Sequence, residues 1–404
     1  MSVVTGMGVV APNGLGLDHF WDAVLAGRGA IAPLTRFDTT GFGATLAGQV
    51  AEFDAGKYLP SRLLPQTDVS TRMALVAAQW ALDDAKVDTT ALTDYGMGVV
   101  TGNASGGFEF THREFNKLWS RGSEHVSVYE SFAWFYAVNT GQISIRHGMR
   151  GPSSALVADQ AGGLDAVGHA RRTVRRGTPL VVTGGVDSAL DPWGWVSHIA
   201  AGTVSTATDP ARAYLPFDAH AAGNVPGEGG AMLVLEDAAA AQARGVPDCY
   251  GEIAGYAQTF DPPPGSPRPP GLQRAIELAL ADAGLRSDDI DVVFADAAGV
   301  PEADRAEAAA LDAVFGPGGV PVTATKPLTG RLFSGAGPID IVTCLLAMRD
   351  AVIPPTVATT ELAEGCGIDL VRGEPRSADL DAGLVLARGR WGFNSAVVVR
   401  AHPR

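Results

Sequence analysis

Cysteine is scarce in this chain: its 404 residues carry three, Cys249, Cys344 and Cys366. They show neither paired nor metal-like spacing, and this leaves a reduced, cytoplasmic protein as the simplest reading. His147, His169, His198 and His220 show no metal-like spacing either, so they read as ordinary core or surface histidines and no metal is expected. Long apolar runs are also missing. Without a stretch of about 18 apolar residues, no membrane span is expected. The start, Met1-Ser2-Val3-Val4-Thr5-Gly6, enters a strand directly, without the basic and apolar segments of a signal peptide. Positive charge is in deficit. A net charge of −14 argues against sequence-independent nucleic-acid binding and against an anionic membrane surface, both of which need basic patches. No GxGxxG or Walker sequence follows a strand, so no nucleotide cofactor is expected.

What is present is an ordinary packed composition, 46% hydrophobic and 18% charged, in a chain long enough for two fused domains. Short β-branched runs alternate with Ala-rich stretches of helical period. Strands are expected at Val3–Gly6, Met97–Thr101, Ala155–Ala158, Leu180–Thr183 and Ala231–Leu235, with helices at Thr71–Ala85 and Gly163–Arg175. The alternation repeats beyond residue 245. Strands are expected there at Gly251–Ala257, Val292–Ala295, Val320–Ala324, Gly383–Ala387 and Ala396–Arg400, and helices at Ala275–Ala283, Ala303–Val314 and Pro338–Arg349. Pro262–Gly271 is a loop by composition. This pattern predicts two α/β halves, 1–245 and 246–404, with mostly parallel, buried sheets.

One residue stands out. The stretch Ser154-Ala155-Leu156-Val157-Ala158-Asp159-Gln160-Ala161-Gly162-Gly163 reads as a short strand, a sharp turn and a helix opened by two glycines. A residue at such a turn is pushed toward a pocket, beside the free N–H groups of the helix start. Enzymes place a Cys or Ser nucleophile there. Here the position holds a carboxamide, which cannot carry an acyl group.

Several further segments, in order and spacing, resemble the β-ketoacyl synthases of the thiolase superfamily. They are Val4-Thr5-Gly6-Met7-Gly8-Val9-Val10-Ala11-Pro12, Pro216-Phe217-Asp218 followed by Pro226-Gly227-Glu228-Gly229-Gly230, and Lys326 followed by Gly330 and Ser334-Gly335-Ala336-Gly337. Asp159–Gly163, Asp187–Trp195 and Arg388–Ser395 are similar to the chain length factor branch, the ketosynthase β subunits of bacterial type II aromatic polyketide synthases. The resemblance implies a five-layered αβαβα thiolase fold made of two pseudo-equivalent halves. It also implies an obligate heterodimer with an active ketosynthase α subunit. It further implies that no cofactor is bound and that the substrate is a phosphopantetheine-linked polyketide on an acyl carrier protein.

Matched residue by residue, Gln160 replaces the nucleophilic Cys. Asp296 or Ala298 replaces the first catalytic His, depending on which end of a shortened stretch is aligned, and Arg331 replaces the second. A decarboxylating condensation needs a thiol and donors for the enolate, and a carboxylate is no donor. Independent condensation is therefore not expected. Asp296 and Arg331 are expected either to form a partly buried ion pair or to have drifted apart into solvent. Lys326, Asp304 and Glu307 stand at family positions, where a structural ion pair is the expected role. Two roles are open for Gln160. It either mimics an acylated Cys and supports malonyl decarboxylation, supplying primer, or hydrogen-bonds nearby backbone and preserves the fold.

Phe108, Thr111, Phe115 and Leu118 recur at three and four, so they share one helix face. Periodicity alone reads this as a core stripe. The resemblance implies instead the end of a tunnel at the dimer interface, where bulky Phe115 would stop the product early, near the octaketide class. The aromatic segment Tyr129–Asn139 is either core or interface. The strand Ser154–Ala158 is expected to pair across that interface.

Overall fold

The structure, a computed structural model, describes residues 1–246, 248–263 and 265–402. Pro264, within the expected Pro262–Gly271 loop, lies outside them.

The apolar runs form strands. In the first half these are β1 (Ser2–Ala11), β2 (Met97–Gly102), β3 (Ser153–Leu156), β4 (Leu180–Asp187) and β5 (Gly229–Asp237). In the second half they are β6 (Gly251–Phe260), β7 (Val292–Phe294), β8 (Pro321–Thr323), β9 (Ala382–Gly389) and β10 (Phe393–Ala401). In space the first five lie in the order β1-β5-β4-β2-β3, and the second five repeat it as β6-β10-β9-β7-β8. The two sets join where β1 pairs antiparallel with β6, Val3 opposite Glu252.

The expected mostly parallel pairing needs correction. In each half the two pairings toward the outer edge are parallel and the two toward the centre antiparallel. The reason is connectivity. The last strand of each half inserts between the first and the fourth. In the second half it follows β9 through the tight turn Arg390–Gly392, which only antiparallel strands can share.

Helices cover both faces. Helix α1 (Val69–Asp84) packs on β1 and β5, with α3 (Val138–His147) beside it. Helices α6 (Leu272–Ala283) and α7 (Pro301–Phe315) cover the opposite outer face. Between the sheets lie α4 (Gly162–Arg175) and α8 (Ala336–Asp350), each touching strands of both halves. Helix α8 is buried over almost its whole length, as a helix sandwiched between two sheets must be. Two more helices flank the first half: α2 (Phe108–Arg121) and α5 (Pro192–Ala200). Among the described residues no helix is long and apolar enough to cross a membrane.

Candidate functional site

The chain leaves β3 after Leu156, passes through Asp159 in the left-handed region (φ 51°), and enters α4 at Gly162. A left-handed non-glycine residue is strained and persists only where its surroundings hold it. Here the Asp159 carboxylate accepts from the Arg390 backbone N–H at 2.8 Å, within the β9–β10 turn. Gly163 is required by close approach: a Cβ there would stand 1.9 Å from the Ser334 carbonyl oxygen. Gln160 is fully buried, and neither polar atom of its amide has a hydrogen-bond partner among the described residues. This corrects the reading in which its carboxamide bonds nearby backbone. The turn is held by Asp159, and the Gln160 side chain is packed rather than bonded.

A cavity of about 170 Å³ adjoins the turn, walled by Asp159, His198, Asn224, Asp296, Arg331 and Arg390 among others; Gln160 does not line it. Asp296 follows β7, and Arg331 follows the short helix Lys326–Thr329. They form a buried ion pair: Arg331 Nη2 stands 3.0 Å from Asp296 Oδ2 and 3.1 Å from Oδ1. The guanidinium also donates to the Asp296 carbonyl at 3.3 Å and the Arg388 carbonyl at 3.0 Å. The Arg388 N–H returns a bond to Asp296 Oδ1 at 2.9 Å. Burial disfavours the charge on Arg331, but Asp296 more than offsets it, so its pKa is raised. Ala298, the other match to the first His, lines the same cavity and has no side-chain donor. An enolate here would meet a carboxylate or a methyl group, and a guanidinium whose terminal nitrogens are both engaged.

Lys326 is paired, but with neither expected carboxylate. Its Nζ lies 2.5 Å from Asp340 Oδ2, inside α8, and donates to the Ala295 carbonyl at 2.7 Å. Asp304 and Glu307 instead hold backbone. Asp304 accepts from Phe217 N at 2.8 Å and Gly299 N at 3.0 Å. Glu307 accepts from Asp296 N at 2.7 Å and Ala297 N at 2.8 Å. Burial, with the neighbouring Asp296 charge added, pushes Asp304 up to about 6 and Glu307 up to about 7. Among the described residues no group of three or more His, Cys, Asp or Glu could hold a metal.

A second and larger cavity, about 580 Å³, opens along α2. Phe108, Thr111 and Phe115 line it, together with Trp134, Tyr136 and Trp193. Leu118 shares their helix face but lies beyond the cavity wall, one turn too far along. Phe115 is half-buried, its ring centroid 5.3 Å from Trp119 and 6.0 Å from Trp193, and Trp193 lies 4.8 Å from Phe108. Trp134, Phe135 and Tyr136 are exposed, as is Val157 beside the unpaired edge strand β3.

Residues 3–241 match the model of the β-ketoacyl synthase N-terminal domain, and residues 250–360 that of the C-terminal domain. The chain belongs to the β-ketoacyl synthase family. It is 70% identical over 401 residues to a Streptomyces coelicolor chain named as an actinorhodin polyketide β-ketoacyl synthase 2, covering 99% of this chain and 98% of that one. It is 58% identical over 401 residues, with the same coverage, to the tetracenomycin polyketide synthase ketoacyl synthase β subunit of Streptomyces glaucescens. These identities place it in the ketosynthase β-subunit, or chain length factor, branch. Among solved structures, the ishigamide ketosynthase/chain length factor superposes with a TM-score of 0.91 at 27% identity, covering 100% of this chain and 99% of that one. A type II polyketide synthase acyl-carrier protein in complex with its ketosynthase bound to the hexaketide gives a TM-score of 0.88 at 25% identity, covering 99% of both chains. The layered α/β architecture is thus the thiolase-type fold of ketosynthases.

Several residues of this chain carry roles that the sequence reading did not assign. Asp340 was signalled by its place, a carboxylate within the apolar stretch of α8. Asp187 ends apolar β4 and accepts from the backbone of Ala104, Ser105 and Ser334 at 3.0 to 3.1 Å, tying two segments to the end of that strand. His198 stacks on Phe333 at 4.8 Å, and burial, with Arg390 adding, lowers it to about 4, so it is neutral. Nothing in its spacing marked it.

Proposed function

We propose that this subunit does not condense acyl groups itself but completes a heterodimeric type II polyketide ketosynthase and lines the tunnel that fixes product length. One contrast carries the reading. The position of the condensing centre is occupied by the Asp296–Arg331 pair, whereas an aromatic-walled cavity of about 580 Å³ stays open along α2. The partner is a ketosynthase α subunit, which supplies the thiol. The substrate is a polyketide tethered through phosphopantetheine to an acyl carrier protein in the cytoplasm, and the subunit holds no cofactor of its own. The exposed aromatics at Trp134–Tyr136 and the free edge of β3 support a subunit interface, since a contiguous exposed apolar patch and an unpaired strand edge both seek cover.

Length control is steric. A packed wall yields little, and each added acetate unit must fit. Phe115, braced by Trp119 and Trp193, stops the chain early, which supports a product near the octaketide class. The repeated strand order supports a division near residue 245, into 1–245 and 246–404. Gln160, fully buried and outside the cavity wall, is not placed to touch malonyl groups, so the primer-supplying decarboxylase reading is not preferred.

Co-expression with the cognate ketosynthase tests the proposal. A stable one-to-one complex making a product of defined mass is expected, with no acyl adduct at residue 160. Condensation by the separated subunit would overturn it.

A further inference from the structure

The aromatic aperture is built from two helices: Phe108 and Phe115 come from α2, and Trp193 from the first turn of α5. Ring contacts alone hold such an aperture softly, and Trp193 is 42% exposed, so its outer side is not packed. One polar contact crosses between the helices at this point. His112 lies four residues after Phe108 and three before Phe115, on the same face of α2. Its Nδ1 stands 2.9 Å from Asp191 Oδ2. Asp191 is the N-cap of α5, and its carboxylate also accepts from the backbone N–H of Trp193 at 3.1 Å and of Gly194 at 3.4 Å. The carboxylate is buried, and the imidazole is mostly so. A single side chain thus fixes the backbone of Trp193 and, through His112, its position relative to Phe108 and Phe115. The N-terminus of α2 is anchored separately, by Asp68 accepting from Phe110 N at 2.9 Å.

We propose that His112 and Asp191 are positioning residues for product length: their hydrogen bond sets how far Trp193 stands from Phe108 and Phe115, and so where the growing polyketide stops. The proposal rests on the tunnel reading above. Without the link, α5 can draw away from α2 and the aperture widens by a fraction of a ring thickness. That suffices when the alternative outcome is one more acetate unit.

The experiment uses the subunit co-purified with its ketosynthase and supplied with malonyl-loaded carrier protein, reading product masses. His112→Ala should raise the ratio of longer to native-length product about tenfold, a barrier change of roughly 1.4 kcal/mol between stopping and extending. His112→Asn, whose amide nitrogen reproduces Nδ1, should restore native length. A purely structural role for His112 would lower yield and leave the length ratio alone. Native-length product from a folded His112→Ala complex overturns the proposal, as does failure of His112→Asn to restore length. If His112→Ala does not co-purify, Asp191→Ser makes the same test. It keeps a capping oxygen for α5 but is too short to reach His112, and native-length product from it is equally fatal. Phe115→Ala run alongside separates the two levels. If it too leaves length unchanged, the tunnel reading itself falls.

Discussion

The cavity beside Gln160 and the cavity along α2 have opposite characters. The smaller, beside Gln160, is walled by charges that satisfy one another: Asp296 with Arg331, Arg388 N–H with Asp296, Arg390 N–H with Asp159. The larger, along α2, is walled mainly by aromatic rings, with Thr111, Glu130 and Ser131 among them. A site that must stabilise a developing negative charge needs free donors, and Arg331 has its terminal nitrogens engaged with Asp296 and the Arg388 carbonyl. A site that must accept an extending chain and then refuse it needs bulk and shape, which the second supplies. The first cavity holds an internal charge pair, and the second keeps a largely aromatic wall.

Breaking the charged region should give the largest effects. Asp296→Ala leaves Arg331 buried without its paired carboxylate, and Lys326→Met leaves Asp340 buried without its ammonium partner; each should cost about 3–5 kcal/mol, read by denaturant unfolding. Replacing both members, as Lys326→Met with Asp340→Leu, should recover most of that loss, because a buried pair contributes little net stability over apolar residues of similar size. Breaking the aromatic region should cost less stability. Phe115→Ala should lose about 1–2 kcal/mol, below the 3–5 kcal/mol of a fully buried Phe, since its ring already borders a cavity.

Two buried carboxyls give the charged region a pH signature. Glu307 rises from 4.5 to about 7 in the fold, through burial and then Asp296. Below 4.5 both folded and unfolded chains hold the proton. As pH rises the unfolded chain releases it first, so stability should fall until about pH 7 and then level off, with Asp304 acting in the same direction toward about 6. Unfolding measured across this window should show that slope, and Glu307→Gln should reduce it. The smallest effect is expected at Gln160. Its amide is buried without a protein partner, so Gln160→Leu should be neutral or stabilising by about 1 kcal/mol.

Much of this contrast was legible in the residues. Apolar runs such as Leu180–Val182 located the strands, and the Asp159–Gly163 sequence located the strained turn. Gln160 and Arg331, at the family positions of a Cys and a His, carried the expectation that independent condensation is absent. What escaped depends on partners distant in sequence. Antiparallel pairing of β5 and β10 follows from where each inserts in the sheet, which no local pattern encodes. The Lys326–Asp340 pair joins a short helix to α8 across 14 residues. Leu118 carries the right helical phase, but phase does not say where a cavity ends. Trp193 sits in a recognised segment, yet its place in the aperture depends on how α5 docks against α2.

Product mass from two reconstituted complexes tests the central claim most directly, one carrying Phe115→Ala and the other Gln160→Ala. The account predicts a longer polyketide from the first and native length from the second. Native length from a stably folded Phe115→Ala complex, or an altered length from Gln160→Ala, would contradict it.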